Sequence, residues 1–138
     1  MRPDRSILLV EDDQVDVMTV KRAFKELGIN NPVHHAANGE EALTFLRGQK
    51  NQPPCIILLD LNMPIMNGIE FLKEAKQDET LKMIPVVVLT TSQGDIDKVE
   101  SFKNGVAGYM IKPVDYNKFL DLVGVVKSYW STSELPSG

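Results

Sequence analysis

The chain is 138 residues long, and its 43% hydrophobic and 25% charged residues fit one soluble domain. They exclude a disordered chain, a collagen-like fibre and a disulfide-stapled mini-protein. Fifteen Lys and Arg against 19 Asp and Glu leave a net charge of −4, without the basic footprint of a nucleic-acid binder.

The single cysteine, Cys55, rules out an internal disulfide and a multi-thiolate metal site. No apolar run reaches half of a membrane span, so the expectation by elimination is a cytoplasmic protein with no membrane contact. In chain order, Ile7-Leu8-Leu9-Val10 is a continuous apolar run too short for a helix and reads as a strand covered on both faces. Val20, Ala23, Phe24 and Leu27 then repeat at helical spacing, with Gly28 placed to end the helix. Val33 to Ala36 forms a weaker strand. Asn38-Gly39-Glu40-Glu41 opens a helix that carries Ala42, Phe45 and Leu46 on one face and closes at Gly48.

Pro53-Pro54 precedes the second strong run, Ile56-Ile57-Leu58-Leu59, and Cys55 beside it reads as a small buried hydrophobe. Asn67 with Glu70 three residues on has the form of a capping box, followed by Ile69, Leu72 and Ala75. Pro85 introduces the third run, Val86-Val87-Val88-Leu89. Ser92 is a candidate cap for a helix with Ile96, Val99 and Phe102, ending at Asn104-Gly105. A weaker strand spans Gly108 to Ile111, and Asp115 is placed to cap a last helix carrying Phe119, Leu122, Val123, Val126 and Trp130. The alternation is βα repeated five times: an α/β, doubly wound five-stranded parallel sheet with helices on both faces. Residues 1–131 read as one domain and 132–138 as a flexible polar tail.

Ligands of such sheets bind at the carboxyl ends of the strands. The first strand ends in Glu11-Asp12-Asp13, the third in Asp60, the fourth in Thr90-Thr91 and the fifth in Lys112-Pro113. Asp13 reads as a helix cap. Carboxylates about 5 Å apart repel by roughly 3 kcal/mol at an effective dielectric near 20, so clustering Glu11, Asp12 and Asp60 requires cations. A divalent ion together with Lys112 balances the three charges, and hard oxygen ligands with open positions suit Mg2+.

Glu11-Asp12 after its strand, Asp60-Leu61-Asn62-Met63-Pro64 with Gly68, then Thr90, then Lys112-Pro113, resembles the receiver domain of bacterial two-component response regulators. The resemblance covers residues 5 to 130 and implies the flavodoxin-like (βα)5 topology of that family. It implies Asp60 as phosphoacceptor, and Mg2+ held by Asp12, Asp60 and the backbone carbonyl of Asn62, with Glu11 acting through water. It implies that Lys112 pairs with the phosphoryl group, that Thr90 moves inward to follow it, and that Tyr109 is the aromatic switch. A cis bond before Pro113 and a sensor histidine kinase or histidine phosphotransfer protein as phosphodonor also follow from it. The end of the last helix, Tyr129-Trp130-Ser131, is similar to stand-alone receivers, among them regulators partnered with phytochrome kinases. Thr91 departs from the family's usual small residue, and Ser92 and Asn62 stand where side chains modulate phosphoryl loss.

Two other chemistries use similar residues. A haloacid-dehalogenase-type phosphatase needs a second aspartate two residues after the first, where this chain has Asn62. An FMN module needs a phosphate loop where Glu11-Asp12-Asp13 would repel phosphate. A phosphorelay intermediate and a receiver-like adaptor without regulated output stay open. The expected partner surface is formed by the fourth helix, fifth strand and fifth helix. Apolar residues of the last helix span roughly 160° of arc at about 100° per residue, too wide for one sheet face, which leaves Leu120, Val125 or Tyr129 for a contact, a homodimer among the expected ones.

Overall fold

The computed structural model describes residues 5–48, 53–91, 94–112 and 115–132. The five strands are β1 (Ile7–Val10), β2 (Val33–Ala36), β3 (Ile56–Leu59), β4 (Val86–Thr90) and β5 (Gly108–Ile111). The helices are α1 (Gln14–Glu26), α2 (Gly39–Gly48), α3 (Gly68–Lys76), α4 (Asp95–Lys103) and α5 (Tyr116–Thr132), with a 3-10 turn at Leu81–Met83. All strand pairs are parallel, in the order β2-β1-β3-β4-β5. This is the flavodoxin-like receiver fold, and the change of winding direction beside β1 and β3 opens a crevice at their carboxyl ends.

The continuous apolar runs bury both faces of the sheet. Leu8, Val10, Ile57, Leu59 and Val88 pack with Leu43 and Leu46 of α2 and Phe71 and Leu72 of α3. Ile7, Leu9, Ile56, Leu58, Val87 and Leu89 point the other way, against Val17, Val20 and Phe24 of α1 and Phe119 and Val123 of α5. Cys55 is buried in this second layer.

The local start and stop signals act as their chemistry requires. Asp13 accepts from the amides of Val15 and Asp16 at 2.8 and 3.2 Å and caps α1. Gly28, at φ 70°, takes the left-handed turn that ends the same helix. Asn67 and Glu70 form the reciprocal capping box of α3, at 2.9 and 3.0 Å. Asp115 accepts from the amide of Asn117 at 2.8 Å and caps α5.

Helix α4 is the exception. Its pattern Ile96, Val99, Phe102 forms a helix, yet these side chains face outward, at 80%, 51% and 51% exposure. The one buried residue of α4 is Ser101, whose hydroxyl donates to the carbonyl of Asp97 at 2.8 Å. The residue before the helix is Gly94, which offers no side-chain cap; Ser92 lies outside the described residues.

Candidate functional site

Each parallel strand delivers its last residue to one edge of the sheet. The amide of Asp60 donates to the carbonyl of Val10 at 3.0 Å, and that of Glu11 to the carbonyl of Ala36 at 2.9 Å. The amide of Lys112 donates to the carbonyl of Thr90 at 2.8 Å, so β5 carries its lysine into the crevice beside β4. Gly68 lets the start of α3 come close: a Cβ there would stand 2.6 Å from the carbonyl oxygen of Asp60.

Carboxylate oxygens of Glu11, Asp12 and Asp60 lie within 4.8 Å of one another. Glu11 and Asp60 are buried and Asp12 is exposed, so the pocket opens on the Asp12 side. The Thr90 hydroxyl donates to Oδ1 of Asp60 at 2.7 Å, and the Asn62 amide approaches the same oxygen at 3.4 Å. Thr90 is fully buried and already turned inward. A buried hydroxyl needs an acceptor, and the Asp60 carboxylate supplies one.

The Lys112 ammonium donates to Oε1 of Glu11 and to Oδ2 of Asp16, the latter at 2.9 Å, and stands 3.9 Å from Oδ2 of Asp60. Asp16 was not singled out in the sequence: an acid in the first turn of a helix ordinarily complements the helix dipole. The detectable signal is its place three residues after the Asp13 cap, in the first turn and thus beside the sheet edge.

Burial pushes the Glu11 carboxyl up from 4.5 to about 8; the hydrogen bond and charge of Lys112 pull it partly back, and the charge of Asp60 raises it further. Burial also opposes the charge on Lys112, but its bonds to Glu11 and Asp16 outweigh this and raise its pKa above the ordinary 10.5. One lysine is therefore too little positive charge for the carboxylates that face it. Hard oxygen donors at this spacing fit a small divalent cation that retains water ligands.

Tyr109 lies on β5, half-buried against the layer under α2 and α3, with the Lys98 ammonium of α4 5.9 Å from its ring centre. Val125 is 58% exposed, whereas Leu120 packs against the α1–α5 layer. The Tyr129 side chain, Pro113 with the bond before it, and residues 133–138 lie outside the described residues.

A family model for the response regulator receiver domain matches residues 7–124. The chain belongs to this family. It is a family of signalling proteins rather than enzymes, which agrees with a pocket built to hold charge. The probable methanogenesis regulatory protein FilR2 of Methanothrix harundinacea is 40% identical over 127 residues, 90% of this chain and 82% of that protein. Response regulator Rcp1 of Synechocystis is 39% identical over 140 residues, 98% of this chain and 95% of Rcp1. The Mn2+-bound structure of Rcp1 superposes with a TM-score of 0.87 at 37% identity, over 96% of this chain and 99% of that one. The phosphorylated cyanobacterial phytochrome response regulator RcpA superposes with a TM-score of 0.90 at 36% identity, over 97% and 99% of the two chains. Among the described residues no helix is long and apolar enough to cross a membrane.

Proposed function

We propose that this receiver accepts a phosphoryl group on Asp60 from a phosphohistidine and reports it through the surface formed by α4, β5 and α5. The observation that carries this reading is the setting of Asp60: a buried carboxylate with a hydroxyl donor at 2.7 Å and an ammonium at 3.9 Å. An Asp60 oxygen forms the new bond to phosphorus while the bond from phosphorus to the histidine nitrogen breaks, and the imidazole leaves with the electron pair. Such transfers depend mainly on positioning and on neutralising the equatorial oxygens. Thr90 and Lys112 donate to those oxygens from the two sides of Asp60. Asp12, Asp60 and the Asn62 carbonyl would hold Mg2+, with Glu11 acting through water. When bound, Mg2+ supplies positive charge to the oxygens in transit.

The acyl phosphate adds about one negative charge and new acceptor oxygens, which favour whichever arrangement of Thr90 and Lys112 meets them best. Tyr109 shares β5 with the residue before Lys112 and touches the Lys98 side of α4, which links the pocket to the outward Ile96, Val99 and Phe102. A protein partner, a second copy of the chain included, would cover these residues together with Val125; Tyr129 belongs to the same proposal. The donor is a sensor histidine kinase or histidine phosphotransfer protein, with a phytochrome kinase as the candidate that the similarity to RcpA suggests. The setting is the cytoplasm, with no direct contact to nucleic acid or membrane.

The test is phosphotransfer from the histidine kinases of the source organism to wild type and Asp60→Asn, with Mg2+ present. Base-labile label on wild type and none on Asp60→Asn is expected; undiminished label on the variant sinks the assignment. Sedimentation with and without a phosphoryl mimic tests the homodimer, which a strictly monomeric protein in both states would refute.

A further inference from the structure

We infer that Asp16 is a positioning residue that latches Lys112 away from the phosphoacceptor, so that a phosphoryl group on Asp60 must win the ammonium from it. The inference rests on the reading of Asp60 as phosphoacceptor. An ammonium has three donors. Two are committed, to Oε1 of Glu11 and to Oδ2 of Asp16, while the nearest Asp60 oxygen is 3.9 Å away and outside hydrogen-bond range. Lys112 is thus placed beside its target and held short of it.

The two anchors are not equivalent. Glu11 belongs to the acid cluster, and a cation bound there competes directly with Lys112 for its charge. Asp16 stands outside that cluster, on the first turn of α1, where Asp13 caps the helix and fixes the backbone. Its side chain is 38% exposed against 8% for Lys112, so the carboxylate can be rehydrated when the ammonium leaves. That makes the pair reversible in a way that a fully buried one is not. Asp16 therefore sets how much of the phosphoryl group's attraction is consumed in freeing Lys112.

The latch predicts a gain on removal. Asp16→Asn keeps the size of the side chain and lowers the strength of the bond to Lys112, so binding of beryllofluoride to Asp60 in saturating Mg2+ should tighten by about three- to tenfold. Loss of a nearby negative charge would also favour any anion, and Asp13→Asn controls for this. Asparagine caps a helix as well as aspartate does, and Asp13 makes no ion pair with Lys112. A general field effect tightens both variants alike; the latch tightens Asp16→Asn and leaves Asp13→Asn within about twofold. Titration followed by fluorine NMR gives the affinities directly, and Asp16→Ser serves as a second variant should Asp16→Asn fold poorly. Unchanged or weaker binding in the Asp16 variants, or equal tightening in Asp13→Asn, overturns the latch alone. Failure of wild type to bind beryllofluoride overturns the phosphoacceptor reading, and the latch with it.

Discussion

Glu11 makes the stability of the metal-free protein depend on pH in an unusual direction. Its carboxyl holds a proton up to about pH 8 in the folded chain, against an ordinary 4.5, because burial penalises the charged form more than Lys112 relieves it. A raised folded-state pKa contributes stability that is fully present below the unfolded value and is lost as pH rises through the folded one. The metal-free protein should therefore weaken steadily from about pH 5 to above pH 8, across the range where most proteins are at their most stable. At about 1.4 kcal/mol per pH unit the displacement sets a ceiling of roughly 5 kcal/mol, and relaxation with water entry at the open Asp12 side reduces it to about 1–2 kcal/mol. Lys112 stays charged throughout this window, since its pKa is raised. Urea unfolding in EDTA, compared between wild type and Glu11→Gln, isolates the effect, because every other ionisable side chain is common to the two proteins. The variant should show a flatter profile and exceed wild type at the alkaline end. Excess Mg2+ should reverse the wild-type slope, since the cation binds the ionised carboxylate. A Glu11→Gln profile parallel to that of wild type in EDTA would refute the reasoning.

Three further outcomes follow from other residues. Gly68→Ala places a methyl group 2.6 Å from the Asp60 carbonyl oxygen and 2.8 Å from the Leu61 Cα, so it should cost about 1–3 kcal/mol and weaken Mg2+ binding, measured by urea unfolding and metal titration. Ile65, 76% exposed at φ 65°, sits in the left-handed region that β-branched residues avoid, so Ile65→Gly should raise the unfolding free energy by about 1 kcal/mol; a lower value contradicts this. Asp12→Ala should lower Mg2+ affinity at least about tenfold, whereas Asp13→Ala should leave it within about twofold and cost about 1 kcal/mol through the lost cap. Equal losses of affinity would mean that the two acids have been misassigned.

The strands were legible because burial on both faces demands unbroken apolar runs, and Ile7–Val10, Ile56–Leu59 and Val86–Thr90 leave few other options. The site was legible for a related reason: parallel strands deliver their terminal residues to one edge, so Glu11, Asp12, Asp60, Thr90 and Lys112 could be brought together from topology alone. Asp16 escaped because its role depends on where a lysine 96 residues later places its ammonium, which no local pattern encodes. The hydrogen bond from Thr90 to Asp60 is likewise beyond any local pattern, since a hydroxyl's direction is set by the acceptors folding brings to it. On α4 the periodicity identified a helix and misled about its orientation. Ser101, a small polar residue, is the one buried there, and the apolar residues are exposed.

That reversal on α4 separates two kinds of change the chain can tolerate. The helix commits a single side chain, Ser101, to the interior, while Ile96, Val99 and Phe102 are exposed at 80%, 51% and 51%. On the reading proposed above, in which this face meets the partner, drift at those three positions would retune recognition while leaving the buried layers in place. Asp60, Thr90 and Gly68 have no such latitude, because each is hemmed in by backbone or by another site residue. A lineage of receivers built this way could acquire new correspondents quickly while its phosphoryl chemistry stood still.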